Sequence, residues 1–125
     1  MTGPAITFDT GALIALERRK ERAMKVYTHA RDRGVIVGAA NVSLAEWRGR
    51  TDRREAVLRG VLVETVSDEV MKLAGVALGK VRGATTIDAI VAAFAVQRTG
   101  IVYTSDVHDF VALQTFFPAL RVFAI

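Results

Sequence analysis

Four carboxylates in this chain occupy positions where an acid calls for an explanation. Asp9 directly follows the short apolar run Ala5 to Phe8 and precedes a helix-like stretch, Ala12 to Leu16. Asp106 comes two residues after another apolar run, Ile101 to Thr104. Asp88 stands near the start of Thr86 to Val96, a segment apolar on nearly every helical face, and Glu46 follows the capping-type residues Asn41 and Ser43. An ionised carboxylate on a helix packed from several sides carries a desolvation cost unless a cation or hydrogen-bond donors meet it. Each acid also has a structural account. Asp9 and Asp106 could cap helices, Asp88 in a first turn is favoured by the helix dipole, and Glu46 could complete a capping box if Ser43 is the cap. Taken together, however, acids from four separate elements sharing one pocket would repel one another, and such a cluster is stable when divalent cations occupy it. The sequence holds no cysteine. Disulfides, thiolate metal sites and cysteine nucleophiles are thereby excluded, and oxygen ligands with hard cations are left.

The elements that must carry these residues alternate between strand and helix. Ala5 to Phe8 is expected as a strand, and Ala12 to Leu16 as a helix after the junction Asp9-Thr10-Gly11. From Arg18 to Arg33 the residues Ala23, Val26, Tyr27 and Ala30 recur at helical spacing, and Gly34 ends the run. Val35 to Val37 is a second strand, with Glu46 on the first turns of a third helix. The charged run Arg48 to Arg59 continues helically or as a helical hairpin, and Val61 to Val66 reads as a strand whose Glu64 permits an edge position. Ser67 is placed to cap a helix through Val81, Arg82-Gly83 marks a turn, and Thr85 or Thr86 starts the apolar helix that Gly100 stops. Ile101 to Thr104, a short helix over Val107 to Phe116, the breaker Pro118 and a last strand from Leu120 to Ile125 complete the chain. This alternation implies a mainly parallel sheet with right-handed crossovers, hence a three-layer α/β/α sandwich. In that arrangement the crevice beyond the carboxyl ends of the strands gathers ligands, and Asp9 and Asp106 both project into it.

At 125 residues, with 51% hydrophobic and 24% charged residues, the chain suits one globular domain spanning residues 1–125. No apolar run reaches membrane-spanning length. The opening stretch, Met1 to Phe8, has neither a basic leader nor a long apolar core, so a cytoplasmic location without membrane attachment is expected. Seventeen Lys and Arg against thirteen Asp and Glu give a net charge of +4. If Asp9, Glu46, Asp88, Asp106 and Asp109 share a pocket, eight acids remain against seventeen basic residues elsewhere, an acidic hole in a basic surface suited to a polyanion.

Phe8-Asp9-Thr10-Gly11-Ala12-Leu13, Ser43-Leu44-Ala45-Glu46, the segment Ile87 to Ala95 and Tyr103-Thr104-Ser105-Asp106 with Asp109-Phe110 resemble the motifs of PIN-domain nucleases, and more narrowly of the VapC-type toxins of bacterial toxin–antitoxin pairs. The resemblance spans the whole chain in order. It implies a metal-dependent endoribonuclease in which Asp9, Glu46, Asp88 and Asp106 hold Mg²⁺ or Mn²⁺, directly or through water, with Asp109 as an additional acid. Thr10 and Thr104 match positions whose hydroxyls orient carboxylates or water. The same resemblance implies an RNA substrate, an antitoxin that covers the site, and a homodimer. The Arg48 to Arg59 region matches no motif.

Other residues are set aside. His29 and His108 lack a metal-ligand spacing, and Trp47 is read first as packing and second as a base-stacking platform. The groups Arg18-Arg19-Lys20 and Arg48 through Arg59 are solvated faces first, phosphate-tracking surfaces second. Two other functions compete: a magnesium-binding phospho-receiver or phosphatase-like domain, which wants a lysine beside its acyl phosphate, and a catalytically inactive PIN-like binding module, which would have lost acids.

Overall fold

The computed structural model of the chain describes residues 4–125. Strand β1, Ala5–Phe8, alternates its side chains across the sheet: Ile6 and Phe8 face one layer and Thr7 the other. It is the central strand of five, in the order β3-β2-β1-β4-β5, and every pairing is parallel. The remaining strands are β2 (Ile36–Ala40), β3 (Leu62–Glu64), β4 (Ile101–Thr104) and β5 (Arg121–Ala124). Parallel neighbours require crossovers, which bring helices onto both faces.

On one face lie α1 (Thr10–Glu17), α2 (Glu21–Asp32), the single turn α3 (Ser43–Glu46) and α4 (Asp52–Arg59), closing a core around Phe8, Leu13, Leu16, Val37 and Trp47. On the other lie α5 (Asp68–Lys80), α6 (Thr86–Val96) and α7 (Val111–Phe116), around Val91, Phe94, Val102, Phe110 and Leu113. The expected three-layer α/β/α sandwich is what forms. Helix α6 is the most enclosed element, with Ala89 through Ala95 all buried. Its C-terminal end is pinned by Arg98, whose guanidinium donates to both carboxylate oxygens of Glu64 on β3 and lies 3.5 Å from the Phe94 ring centroid. Among the described residues no helix is long and apolar enough to cross a membrane.

Helix α1 covers Thr10–Glu17 rather than Ala12 to Leu16, β3 covers Leu62–Glu64 rather than Val61 to Val66, and other boundaries differ from the sequence expectation as well. Helix α2 starts at Glu21 rather than Arg18, because Arg18 to Lys20 bring no apolar side chain to the core and Arg19 turns the chain in a left-handed conformation (φ 55°). Strand β2 extends through Gly38, Ala39 and Ala40, small residues of weak strand preference that are buried between β1 and β3. Only Asp52–Arg59 of the charged run is helical, capped by Thr51, which accepts from Arg54 N at 3.0 Å. The last short helix is two pieces, a 3-10 turn over Val107–Phe110 followed by α7.

Candidate active site

The carboxyl ends of β1, β2 and β4 open on one side of the sheet, and the N-termini of α1 and α6 reach the same place. Asp9 leaves β1 and caps α1, its Oδ1 accepting from Ala12 N at 2.9 Å. Asp88 sits in the first turn of α6. Glu46 ends α3, which follows β2, and Asp106 follows β4 and caps the 3-10 turn by accepting from His108 N at 3.1 Å. The capping roles of Asp9 and Asp106 are therefore real. They are also compatible with a site, since each cap engages one carboxylate oxygen, Oδ1, of its acid.

All five acids named from the sequence meet there. A cleft of about 300 Å³ is lined by Asp9, Glu46, Asp88, Asp106 and Asp109, with Thr10, Thr104, Gly11, Thr85 and Ser105 completing its walls. No basic residue lines it, and among the described residues none of the five acids enters a salt bridge. Burial pushes the Asp9 carboxyl from 3.8 up to about 6; the Thr104 hydroxyl and the Ala12 amide pull it down, while the charges of Asp88 and Glu46 raise it further. Burial also raises Asp88, against the stabilising Thr85 hydroxyl, with Asp109, Glu46 and Asp106 adding repulsion. Both shifts say that negative charge in this cleft lacks compensation from the protein. Among the described residues, no three Asp, Glu or His side chains are drawn together closely enough to hold a cation as they stand.

The hydroxyls partner the acids. Thr10 Oγ1 donates to Glu46 Oε1 at 2.9 Å, so Glu46 is held by α1 and makes no capping box with Ser43. Ser43 lies inside α3, whose N-cap is Val42, and the Ser43 hydroxyl is fully buried without a partner. The Thr104 hydroxyl accepts the Asp106 amide at 3.0 Å and donates to the Asp106 carbonyl at 3.4 Å, and it lies close enough to Asp9 to lower its carboxyl. Gly11, Thr85 and Ser105 were not marked as site residues by the sequence. Gly11 leaves the room that Ser105 takes, since a Cβ at position 11 would collide with the Ser105 hydroxyl. That relation is between residues far apart in the chain, and no local signal reveals it.

Of the residues set aside, His108 adjoins the cleft through the hydrogen bond its amide donates to Asp106, while Trp47 and His29 fall elsewhere. Trp47 is 2% exposed, donates to Glu17 at 2.9 Å and lies beneath Arg54, so it packs and offers no face to a base. Its bond and that of Thr51 lower the Glu17 carboxyl. His29 borders a larger, apolar cavity of about 850 Å³ between α2 and Tyr103 of β4, away from the acids. The chemistry is in the smaller cleft.

Among solved structures, VapBC2 from Rickettsia felis, crystallised with a DNA fragment from the promoter, superposes on this chain with a TM-score of 0.73 over 97% of it and 98% of the matched chain, at 11% identity. VapC20 of Mycobacterium tuberculosis, described as a toxin that cleaves the Sarcin–Ricin loop, superposes with a TM-score of 0.62 over 86% and 94%, at 23% identity. The chain has the fold of the VapC PIN-domain toxins. No protein-family model matches the sequence, and no curated protein matches it. What this PIN-like chain shares with those structures is therefore a fold, and the argument for its activity rests on the acids in its cleft.

Proposed function

We propose that the chain is a metal-dependent endoribonuclease, the toxin of a toxin–antitoxin pair, using Asp9, Glu46, Asp88 and Asp106, with Asp109 at their side, to hold Mg²⁺ or Mn²⁺. The observation that carries this reading is five carboxylates from four separate stretches of the chain, Asp106 and Asp109 sharing one, lining a cleft that, among the described residues, no Lys or Arg enters. Such a donor set is all oxygen and suits a hard divalent ion. Bound there, the ion supplies Lewis-acid activation of water and stabilises charge on the leaving oxygen of a phosphodiester. The protein's part is positional. Thr10 holds Glu46, the Ala12 amide holds Asp9 and Thr104 holds the Asp106 backbone, and the N-termini of α1 and α6 favour the carboxylates at their first turns. No side chain need act as nucleophile.

RNA as substrate, the antitoxin and the homodimer come from the motif resemblance, the first two supported by neighbours that include a Sarcin–Ricin loop cleaving toxin and a VapBC structure. The cytoplasmic setting comes from the sequence reading of Met1 to Phe8 and of the apolar runs. The absence of lysine from the cleft lining disfavours the phospho-receiver alternative, which needs one beside its acyl phosphate. Purified protein is expected to cut single-stranded RNA with Mg²⁺ or Mn²⁺, to stop when EDTA is added, and to lose cleavage in Asp9→Asn and Asp88→Asn variants that keep their circular dichroism. Equal cleavage by wild type and both variants removes the nuclease proposal.

A further inference from the structure

We infer that Gly11 is a positioning residue: lacking a side chain, it lets the turn after β4 seat against the first turn of α1, so that Asp9 and Asp106 can share one cation. The inference rests on the metal-binding reading above and adds a residue that acts through the room it leaves rather than through a group it carries.

Gly11 is the second residue of α1, and it is not among the glycines with a positive φ. A helical backbone favours alanine over glycine. Conformation therefore does not call for glycine here, and space does. Strands β1 and β4 run side by side until Asp9 N donates to the Tyr103 carbonyl at 3.1 Å, and then their continuations part. The chain after Asp9 enters α1, whose Leu13 and Leu16 join one core, while the chain after Thr104 enters the 3-10 turn and α7, whose Phe110 and Leu113 join the other. The two acids thus head elements on opposite faces of the sheet, across the crevice where the strand connections diverge. Gly11 and Ser105 both line the cleft and meet across that divergence. A Cβ at position 11 would collide with the Ser105 hydroxyl and lie 3.1 Å from the Ser105 Cβ. Rotating the hydroxyl relieves only the first contact, since carbon atoms pack at about 3.5–4.0 Å. The rest must be met by the turn that carries Asp106, giving way by a few tenths of an ångström. Metal–ligand distances are held within about 0.2 Å, so a shift of that size matters at this site.

The experiment is a Mn²⁺ titration of the full chain, followed by calorimetry, alongside thermal melts without metal. Gly11→Ala is expected to weaken Mn²⁺ binding by about tenfold or more. The double variant Gly11→Ala/Ser105→Gly, which removes the Ser105 hydroxyl and Cβ, is expected to recover it. Gly60→Ala separates crowding in general from crowding at the site: a Cβ there would collide with the Tyr27 hydroxyl, outside the cleft. It is expected to lower the melting temperature and leave Mn²⁺ affinity unchanged. If Gly11→Ala does not fold, the double variant is measured against Ser105→Gly alone, and equal affinities are expected. Wild-type affinity in Gly11→Ala, no recovery in the double variant, weaker binding by the double variant than by Ser105→Gly, or the same loss in Gly60→Ala overturns the inference while leaving the metal site standing. Failure of the wild type itself to bind Mn²⁺ overturns the metal reading, and this inference with it.

Discussion

At the scale of residues, the clearest consequence of the cleft is the cost of ionising Asp9. The folded chain holds the Asp9 proton more tightly than the unfolded chain does, the carboxyl having moved from 3.8 to about 6 chiefly through burial. The stability this group contributes is therefore fully present below the unfolded value and is lost as pH rises through the folded one. The shift corresponds to an ionisation cost of about 3 kcal/mol at neutral pH. Asn keeps an oxygen for the Ala12 amide and carries no charge, so metal-free Asp9→Asn is expected to exceed wild type in urea-melt stability by a figure of that order at neutral pH. The gap should close as the medium is made acid. A variant no more stable than wild type at neutral pH, with no dependence on acidity, contradicts this account. The acids themselves were legible in the sequence, because a charge after an apolar strand or within an apolar helix is conspicuous. Their hydroxyl partners were less so: Thr10 and Thr104 came from motif resemblance, and Thr85 appeared only as a helix start.

At the scale of elements, legibility followed the caps. The starts of α5 and α6 were placed correctly because Ser67 and Thr85 announce them, whereas α1, expected from Ala12, starts at Thr10 behind its Asp9 cap. Strand β2 was cut short because Gly38, Ala39 and Ala40 gain their extended form from β1 and β3 on either side, a tertiary effect that local preference does not contain. The junction from α6 to β4 was read from Gly100, and its geometry explains why only glycine suits it. Gly100 has φ 77°, a Cβ there would lie 2.8 Å from the Ala119 carbonyl oxygen, and its own carbonyl accepts the Arg121 amide that starts β5. Gly100→Ala is therefore expected to cost about 1–3 kcal/mol from backbone strain alone, and more from the collision. Hydrogen exchange should show the loss concentrated in the β4–β5 pairing. An alanine variant with wild-type denaturant stability would mean that the backbone there relaxes freely.

At the scale of the whole molecule, the separation of charge decides how a polyanion would meet the site. Five of thirteen acids line the cleft, leaving eight to face seventeen basic residues over the rest of the chain. Not all of those cations are available. Arg54 is occupied with the Trp47 and Gly49 carbonyls, Arg50 pairs with Glu55 at 3.2 Å, and Arg98 is committed to Glu64. Arg48, two residues beyond Glu46, is exposed and makes no ion pair or side-chain hydrogen bond among the described residues. A nucleic-acid strand approaching the acidic cleft would thus depend on basic side chains outside it, Arg48 being near Glu46 in sequence, since the cleft itself repels phosphate until a cation enters. Two or three neutralised phosphates on a single strand imply that affinity falls about tenfold between about 50 and 200 mM salt. Binding of single-stranded RNA to the cleavage-deficient Asp88→Asn variant, followed by fluorescence anisotropy, is expected to show that slope, and Arg48→Ala is expected to make it shallower by about one phosphate. Affinity independent of salt would place the strand away from these cations, and an unchanged slope in Arg48→Ala would assign the contact to another basic residue.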